Sequence, residues 1–331
     1  MEAKIINLKK LLNNIQDYTQ KMYLQRTLRK EVECMSTGLH SGRKVSMKIK
    51  PADVDEGIVF IRADVPGNHR IKADVRNVCD TTLATTIGNN GSAISTIEHL
   101  MSAFSGMGID NAIVEVNAPE LPIMDGSALP FVRMLKTVGT RVQGKCKKLL
   151  VIKNEIAVED NEGSAMLLPA TEFEITYTID FAHPAIGQQT YHMTFSDANY
   201  EKEICAARTF GFLKDVEYLQ ARGLALGGSL KNAVVLDDKT IINKEGLRCP
   251  NEFVKHKILD AIGDLSLLGM PIIGHFVARK SGHRLNNRLL QEVLARPESW
   301  SIVHQYGQQD QVNGAHPLHL PAFRILDAIN A

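Results

Sequence analysis

The sequence predicts an α+β fold made of two duplicated two-layer units, with their helices sandwiched between two sheets. Strand-like runs open each half of the chain, VSMKIKP in the first and KLLVIKNE in the second. Each half then repeats one order of elements: a helix ended by glycine, a strand, a loop and a second helix. We therefore expect each half to contribute residues to a site between them.

The composition is that of a globular protein. The chain has 331 residues, 44% of them hydrophobic and 23% charged, which is enough for two domains. Its formal net charge of +1 gives no reason to expect nucleic-acid binding. The five cysteines are dispersed, which argues against a disulfide framework or a thiolate zinc site and favours a reducing cytoplasm. No apolar stretch approaches the roughly 18 residues that a membrane span needs.

We expect four segments along the chain: an N-terminal extension over 1–22, a first α+β domain over 23–144, a second over 145–305 and a C-terminal tail over 306–331. The polar, basic run RVQGKCKK is expected to link the two domains. The extension has apolar residues at helical spacing, which would fit a membrane-surface or partner helix, but it is poor in basic residues. An appended, poorly ordered helix, or initiation at Met22, is the preferred interpretation.

The first domain is predicted to start with strands over 25–61, separated by turns at GLHSGR and DVDEG. Ser95 is predicted to open a helix, because apolar residues follow it at i, i+3, i+4 and i+7. Gly106 and Gly108 end this helix. The strand NAIVEV and a helix over 128–138 follow.

The second domain repeats this order with an addition. Strands are predicted at KLLVIK, SAMLLPA and FEITYTIDF, a helix over 251–268, a strand at IIGHFVA and a helix over 285–294. The stretch from HPAIGQQ to LALGGS is rich in Phe, Leu and Gly and has no counterpart in the first half. Insertions on a rigid scaffold often carry specificity, so this insert is expected to contact substrate.

Three residues on two of the predicted helices form a candidate metal centre. His256 and Asp260 are four residues apart and share a helix face, and Asp264 continues the same polar stripe. His99 from the first helix, together with His256 and Asp260, offers two imidazoles and one carboxylate. This is a zinc-binding set with an open fourth position. A surface ion pair is the plain alternative for the second helix, but the apolar residues beside the stripe favour a cleft wall.

Three further residues have both a chemical and a structural interpretation. Glu98 is placed to act as a base beside the metal, but Ser95 and Glu98 also form an S-x-x-E capping box. His283, after the glycine of KSGH, is a candidate acid or an exposed loop histidine. Thr209, in TFGF, is a candidate hydrogen-bond donor to an oxyanion or an ordinary core residue.

Six motifs bring a family into view: GLHSG, ISTIEHLMSAF, GIDNAIVEVNAPELPIMDGSA, ARTFGF, FVKHKILDAIGDL and KSGHRLNN. The chain resembles the bacterial UDP-3-O-acyl-N-acetylglucosamine deacetylase family from about Tyr23 to Trp300. Members of that family are zinc enzymes that catalyse the committed step of lipid A synthesis in Gram-negative bacteria. The resemblance therefore implies hydrolysis of an acetamido group with release of acetate.

The resemblance implies a role for each candidate residue. The metal ligands are His99, His256 and Asp260, with Zn²⁺ as the metal and Fe²⁺ as an alternative. The catalytic residues are the base Glu98, the cationic acid His283, its orienting partner Asp264, and Thr209 near the oxyanion. The substrate-binding residues are Lys257, Phe210 and Phe181 on the nucleotide-sugar side, and Phe212, Val216, Leu219 and Leu39 along a passage for the acyl chain. In one departure, many relatives have a cysteine where this chain has Ala84.

The resemblance also implies an acylated UDP-sugar substrate, no nucleic-acid partner, and a cytoplasmic monomer with transient contact to the inner membrane. Three other classes remain open from the residues alone. A zinc peptidase is disfavoured because the chain has no HExxH. A zinc-stapled binding protein would need a fourth ligand, and none is evident. A protein without a metal would use these residues only as caps and ion pairs.

Overall fold

The computed structural model describes residues 24–304 apart from Asn68 and Asn90. The predicted N-terminal extension and C-terminal tail therefore lie outside the described residues. Within the described part, no helix is long and apolar enough to cross a membrane.

The first half of the chain forms a five-stranded sheet with two helices. Its strands are β2 (Val32–Thr37), β3 (Lys44–Pro51), β4 (Ile58–Arg62), β5 (Arg70–Lys72) and β9 (Ala112–Val116), in the order β2-β3-β9-β4-β5. Its helices are α1 (Glu98–Gly106) and α2 (Leu129–Val138). Val45, Met47 and Ile49 on β3 are fully buried, as alternation along a half-buried strand requires. Three short strands, β6 (Val78–Asp80), β7 (Thr86–Asn89) and β8 (Ser92–Ile94), lead into α1.

The expected linker RVQGKCKK is instead part of a strand, so that prediction was wrong. β10 (Thr140–Cys146) pairs antiparallel with β1 (Leu24–Leu28) at the start of the first half. The polar composition of this run does not indicate a strand. It nevertheless forms one, because strand pairing uses backbone hydrogen bonds and because the polar side chain of Gln143 finds hydrogen-bond partners inside the protein. Gln143 accepts a hydrogen bond from Asn111 (2.7 Å) and donates one to the Ala52 carbonyl (3.0 Å).

The second half forms a seven-stranded sheet, helices and an insert. The sheet contains β11 (Lys148–Ile152), β12 (Ile156–Glu159), β13 (Ser164–Leu168), β14 (Phe173–Phe181), β15 (Gly187–Thr194), β18 (Ile272–Arg279) and β19 (Trp300–His304). The insert contains α3 (Asp197–Asn199), a π-helical turn (Tyr200–Ile204), β16 (Phe210–Phe212), α4 (Leu213–Gln220) and β17 (Val234–Leu236). The last two helices are α5 (Glu252–Leu265) and α6 (His283–Ala295).

The strand order confirms the predicted duplication. In the second sheet β12, β13, β18, β14 and β15 are neighbours in that order, which repeats β2-β3-β9-β4-β5 of the first. Because β15 lies in the stretch expected to have no counterpart in the first half, that prediction was wrong for Gly187–Thr194. In each half a parallel pair is joined through a helix, β4 and β9 through α1, and β14 and β18 through α5. The other neighbours in both series are antiparallel.

The two halves meet where α1 packs against α5. The apolar side of α1 belongs to one core cluster with the first sheet, and α5 packs on β14 and β15 of the second. The helices therefore lie between the sheets, as predicted. Gly263 of α5 permits this contact, because a Cβ at that position would lie 2.1 Å from the backbone oxygen of Glu98 on α1.

We expect Gly263→Ala to lower the free energy of unfolding by about 1–3 kcal/mol, the usual cost of overpacking a close contact. The added methyl group meets helix backbone, which cannot move away as a flexible side chain can. Chemical denaturation of the variant measures the loss. Gly144→Ala is the matched control, because a Cβ there meets nothing within 4 Å. Equal stability of the two variants would contradict the prediction.

Candidate active site

The contact between α1 and α5 brings three predicted metal-binding residues together. The Oδ1 atom of Asp260 lies 3.4 Å from Nε2 of His99 and 3.2 Å from Nε2 of His256. All three residues are at most 4% exposed. One ligand atom from each lies within 4.8 Å of the others.

The protonation states of this cluster favour a bound cation. Burial lowers the pKa of His256 to about 4, so its imidazole is neutral at pH 7. Its Nδ1 atom lies 3.1 Å from the carbonyl oxygen of Ala207 and therefore carries the ring proton. Burial favours a neutral Asp260, but the neighbouring His256 and Lys257, whose Nζ atom lies 2.8 Å from Oδ2 of Asp260, hold the pKa of Asp260 well below its usual value. The lone pairs of His256 Nε2 and Asp260 Oδ1 thus face each other.

The donor set fits a divalent metal ion. Asp260 Oδ1 has no hydrogen-bond partner among the described residues although it is buried. A tetrahedral ion with bonds of about 2.1 Å keeps its ligand atoms about 3.4 Å apart, which agrees with the separations above. The carbonyl of Ala207 orients His256 as such second contacts orient metal-bound histidines.

Glu98 does not cap its helix, so the capping-box interpretation was wrong. α1 begins at Glu98 itself, because Thr96 adopts a left-handed backbone conformation and the Ser95 amide donates to the Pro119 carbonyl (2.9 Å). The Glu98 side chain is 4% exposed and accepts a hydrogen bond from the backbone amide of Thr85 (3.0 Å). Burial raises the pKa of Glu98, while His283 and His99 oppose that shift.

His283 is the first residue of α6, not part of the preceding loop. Its Nδ1 atom lies 2.9 Å from Oδ2 of Asp264, and its Nε2 atom lies 3.9 Å from Oε1 of Glu98. Burial alone would lower the pKa of His283, but the carboxylates of Asp264 and Glu98 raise it to about 9. The imidazole is therefore cationic at neutral pH. Asn286 also donates to Asp264 (2.8 Å) and fixes that carboxylate.

Thr85 is a site residue that the sequence reasoning missed. Its amide holds Glu98, and its hydroxyl donates to Oδ1 of Asp264 (2.6 Å) and lies 3.2 Å from Nδ1 of His283. One residue thus contacts three titratable groups from three helices. Thr85 lies in TTLATT beside Ala84, and no spacing within that segment reveals tertiary contacts.

These groups open into one cavity of about 550 Å³. Its polar wall includes Glu98, His283, Thr209, Lys257 and the three metal-ligand candidates, whereas Asp264 lies behind His283. Its apolar wall contains every residue predicted for the acyl passage and the sugar-side rings, namely Leu39, Phe181, Phe210, Phe212, Val216 and Leu219. The Phe181 ring packs edge-on against Phe210 with centroids 5.6 Å apart. The cavity therefore combines a polar wall with an apolar wall.

Comparison with known families agrees with this geometry. Residues 25–295 match the family described as LpxC, UDP-3-O-acyl N-acetylglycosamine deacetylase. The chain belongs to this family. The LpxC family is a family of metalloenzymes, which accords with the buried donor set on α1 and α5.

Curated relatives carry the same description. The chain is 61% identical to a UDP-3-O-acyl-N-acetylglucosamine deacetylase from Syntrophus aciditrophicus over 94% of this chain and 100% of that protein. It is 50% identical to one from Myxococcus xanthus over 85% of this chain and 90% of that protein. It is 51% identical to one from Shewanella violacea over 85% of this chain and 93% of that protein.

Proposed function

We propose that this LpxC-family protein is a zinc-dependent hydrolase that removes the acetyl group of UDP-3-O-acyl-N-acetylglucosamine, the committed step of lipid A synthesis. The relatives named for this reaction match over nearly the whole chain. The observation that carries the metal chemistry is the buried cluster in which Oδ1 of Asp260 lies 3.2 Å from His256 and 3.4 Å from His99 without a hydrogen-bond partner among the described residues. A cation bound by these atoms would make those separations favourable.

His99, His256 and Asp260 would hold the zinc ion. When bound there, zinc supplies a Lewis acid and lowers the pKa of a coordinated water to about 7. Iron(II) is the alternative metal, because imidazole and carboxylate ligands suit both ions.

Glu98 would act as the general base. Its raised pKa and its burial in the cavity wall suit a carboxylate that takes a proton from the attacking water. The Thr85 amide holds Oε2 of Glu98, and Oε1 lies 3.9 Å from Nε2 of His283. Thr209, on the same wall, would donate a hydrogen bond to the oxygen of the tetrahedral intermediate.

His283 would protonate the leaving amine. The imidazole donates its Nδ1 proton to Asp264, which leaves the Nε2 proton available for transfer. Lys257 would bind the nucleotide-sugar side of the substrate together with Phe210 and Phe181. The acyl chain would lie along Phe212, Val216, Leu219 and Leu39, whose side chains offer no hydrogen bonds.

We further infer that the protein works as a cytoplasmic monomer with transient contact to the inner membrane. One chain supplies every residue assigned to the site, so no second copy is needed. The substrate carries an acyl chain and a charged nucleotide, which places it at a membrane surface.

The test of this function is acetate release by purified protein from UDP-3-O-acyl-N-acetylglucosamine. We expect release with the acylated substrate and much less with UDP-N-acetylglucosamine, which cannot fill the apolar wall. Removal of the metal with a chelator is expected to abolish release, and Zn²⁺ or Fe²⁺ to restore it. A fully metal-loaded protein that releases no acetate from the acylated substrate would overturn the proposal.

Asp264→Asn is expected to move the alkaline limb of the pH profile to lower pH. In the wild type His283 stays cationic until the pH rises through about 9. Since the Asp264 carboxylate raises that pKa, its neutralisation lowers the pH at which the acid loses its proton. The measurement is kcat/KM for deacetylation against pH. Asp180→Asn, which neutralises a surface carboxylate, is the control and should leave the alkaline limb of the pH profile unchanged. If the alkaline limb of Asp264→Asn does not shift either, His283 is not the acid.

A further inference from the structure

A second group of metal-binding side chains lies on the outer face of the seven-stranded sheet. Glu174 on β14 faces His275 on β18, and Thr176 on β14 faces His192 on β15. Ile175, between the two β14 residues, is fully buried, so Glu174 and Thr176 point away from the core. One ligand atom from each of Glu174, His192 and His275 lies within 4.8 Å of the other two.

Thr176 orients both imidazoles. Its hydroxyl oxygen lies 2.9 Å from Nδ1 of His192 and 2.9 Å from Nε2 of His275. A hydroxyl oxygen has two lone pairs and can accept an N–H from both rings. In that arrangement Nε2 of His192, which lies 4.0 Å from Oε2 of Glu174, carries a free lone pair. Metal-bound histidines usually donate their other ring N–H to an oxygen in this way.

We propose that Glu174, His192 and His275 bind a divalent transition metal ion of the zinc, nickel or copper class, with solvent completing the coordination. Two imidazoles and one carboxylate suit these ions. The His192 side chain is 54% exposed and that of Glu174 33%, so the ion has open access and His192 has room to rotate toward the other ligands. These residues are separate from the central site, because they lie on the opposite side of β14 from the buried helices.

Bound metal would stabilise the seven-stranded sheet at its β15 edge. Within the described sheets β15 pairs only with β14, and the three ligands span β15, β14 and β18. A ligand that binds only the folded protein stabilises it by mass action. The thermal midpoint of the protein is therefore expected to rise with free Zn²⁺ beyond the concentration that fills the central site.

The test is metal stoichiometry of the full chain after equilibrium dialysis against Zn²⁺, measured by atomic emission. We expect two ions per chain in the wild type and one in Glu174→Gln or His192→Gln, both with wild-type deacetylation. Thr176→Val should weaken the second site by about 10–100-fold, since it removes the oxygen that orients both rings. His99→Ala should retain the surface ion, which separates this proposal from the proposed function.

His69→Gln is the matched control, because it removes an imidazole before β5, outside the proposed site. It should still bind two ions. A wild-type protein that takes up one ion only, or a second ion that survives both Glu174→Gln and His192→Gln, would overturn the proposal.

Discussion

The Glu98→Gln variant is expected to keep its metal and to lose about 10²–10⁴-fold in deacetylation rate, the usual contribution of a general base. Glutamine preserves the size of the side chain and can still accept the hydrogen bond from Thr85, but it cannot take a proton at neutral pH. Because the Glu98 side chain does not cap α1, helix stability should change little. The measurements are acetate release and metal content of the same preparation.

Two variants check the assignment of that loss. Glu98→Asp retains a carboxylate and should recover part of the rate, limited by its shorter reach. Ser95→Ala removes the residue that a capping box would require, and it should leave activity near the wild-type level. Full activity in Glu98→Gln would show that the base is a different group.

The His99→Ala variant is expected to lose the metal ion of the central site and to show deacetylation near the uncatalysed background. His99 is one of three candidate ligands, and its Nδ1 atom has no hydrogen-bond partner among the described residues, so the substitution breaks no hydrogen bond of that atom. The two remaining ligands are fewer than the three protein ligands that a catalytic zinc site uses. Metal content after dialysis against dilute Zn²⁺ gives the first readout, and acetate release the second.

His40→Ala is the matched control for that experiment. His40 lines the same cavity, and its ring nitrogens also lack partners among the described residues, but it is not part of the three-residue cluster. We expect it to retain the metal. Equal metal content in His99→Ala and wild type would contradict the assignment of His99 as a ligand.

Periodicity predicted most elements of this fold and the helices that carry the metal-ligand candidates. The i, i+4 spacing of His256 and Asp260 placed both on one helix face, and the repeated order of elements predicted a site between the halves. Those signals are local or repeated, so one sequence contains them. The close approach of α1 and α5 at Gly263 could not be predicted from the sequence. It depends on which part of the chain packs against Gly263 in the folded protein, here the backbone of Glu98.

The errors have a common cause. The pattern from Ser95 to Glu98 satisfies the capping rule, but long-range contacts of Ser95 and Thr85 decide where the helix starts and where the carboxylate points. The run that forms β10 has few apolar residues, yet β1 supplies its pairing partner from more than a hundred residues away. Tertiary partners of this kind override local preference and leave no mark in the neighbouring sequence.

Because His99 comes from α1 and the other two ligand candidates from α5, neither half of the chain can hold the ion alone. Metal occupancy and the docking of the two repeats are then linked equilibria, and each must strengthen the other to the same extent. A variant that loosens the docked helices, such as Gly263→Ala, should therefore lower metal affinity without touching a ligand. Conversely, metal-free protein should release its two halves from each other at a lower denaturant concentration than the loaded form.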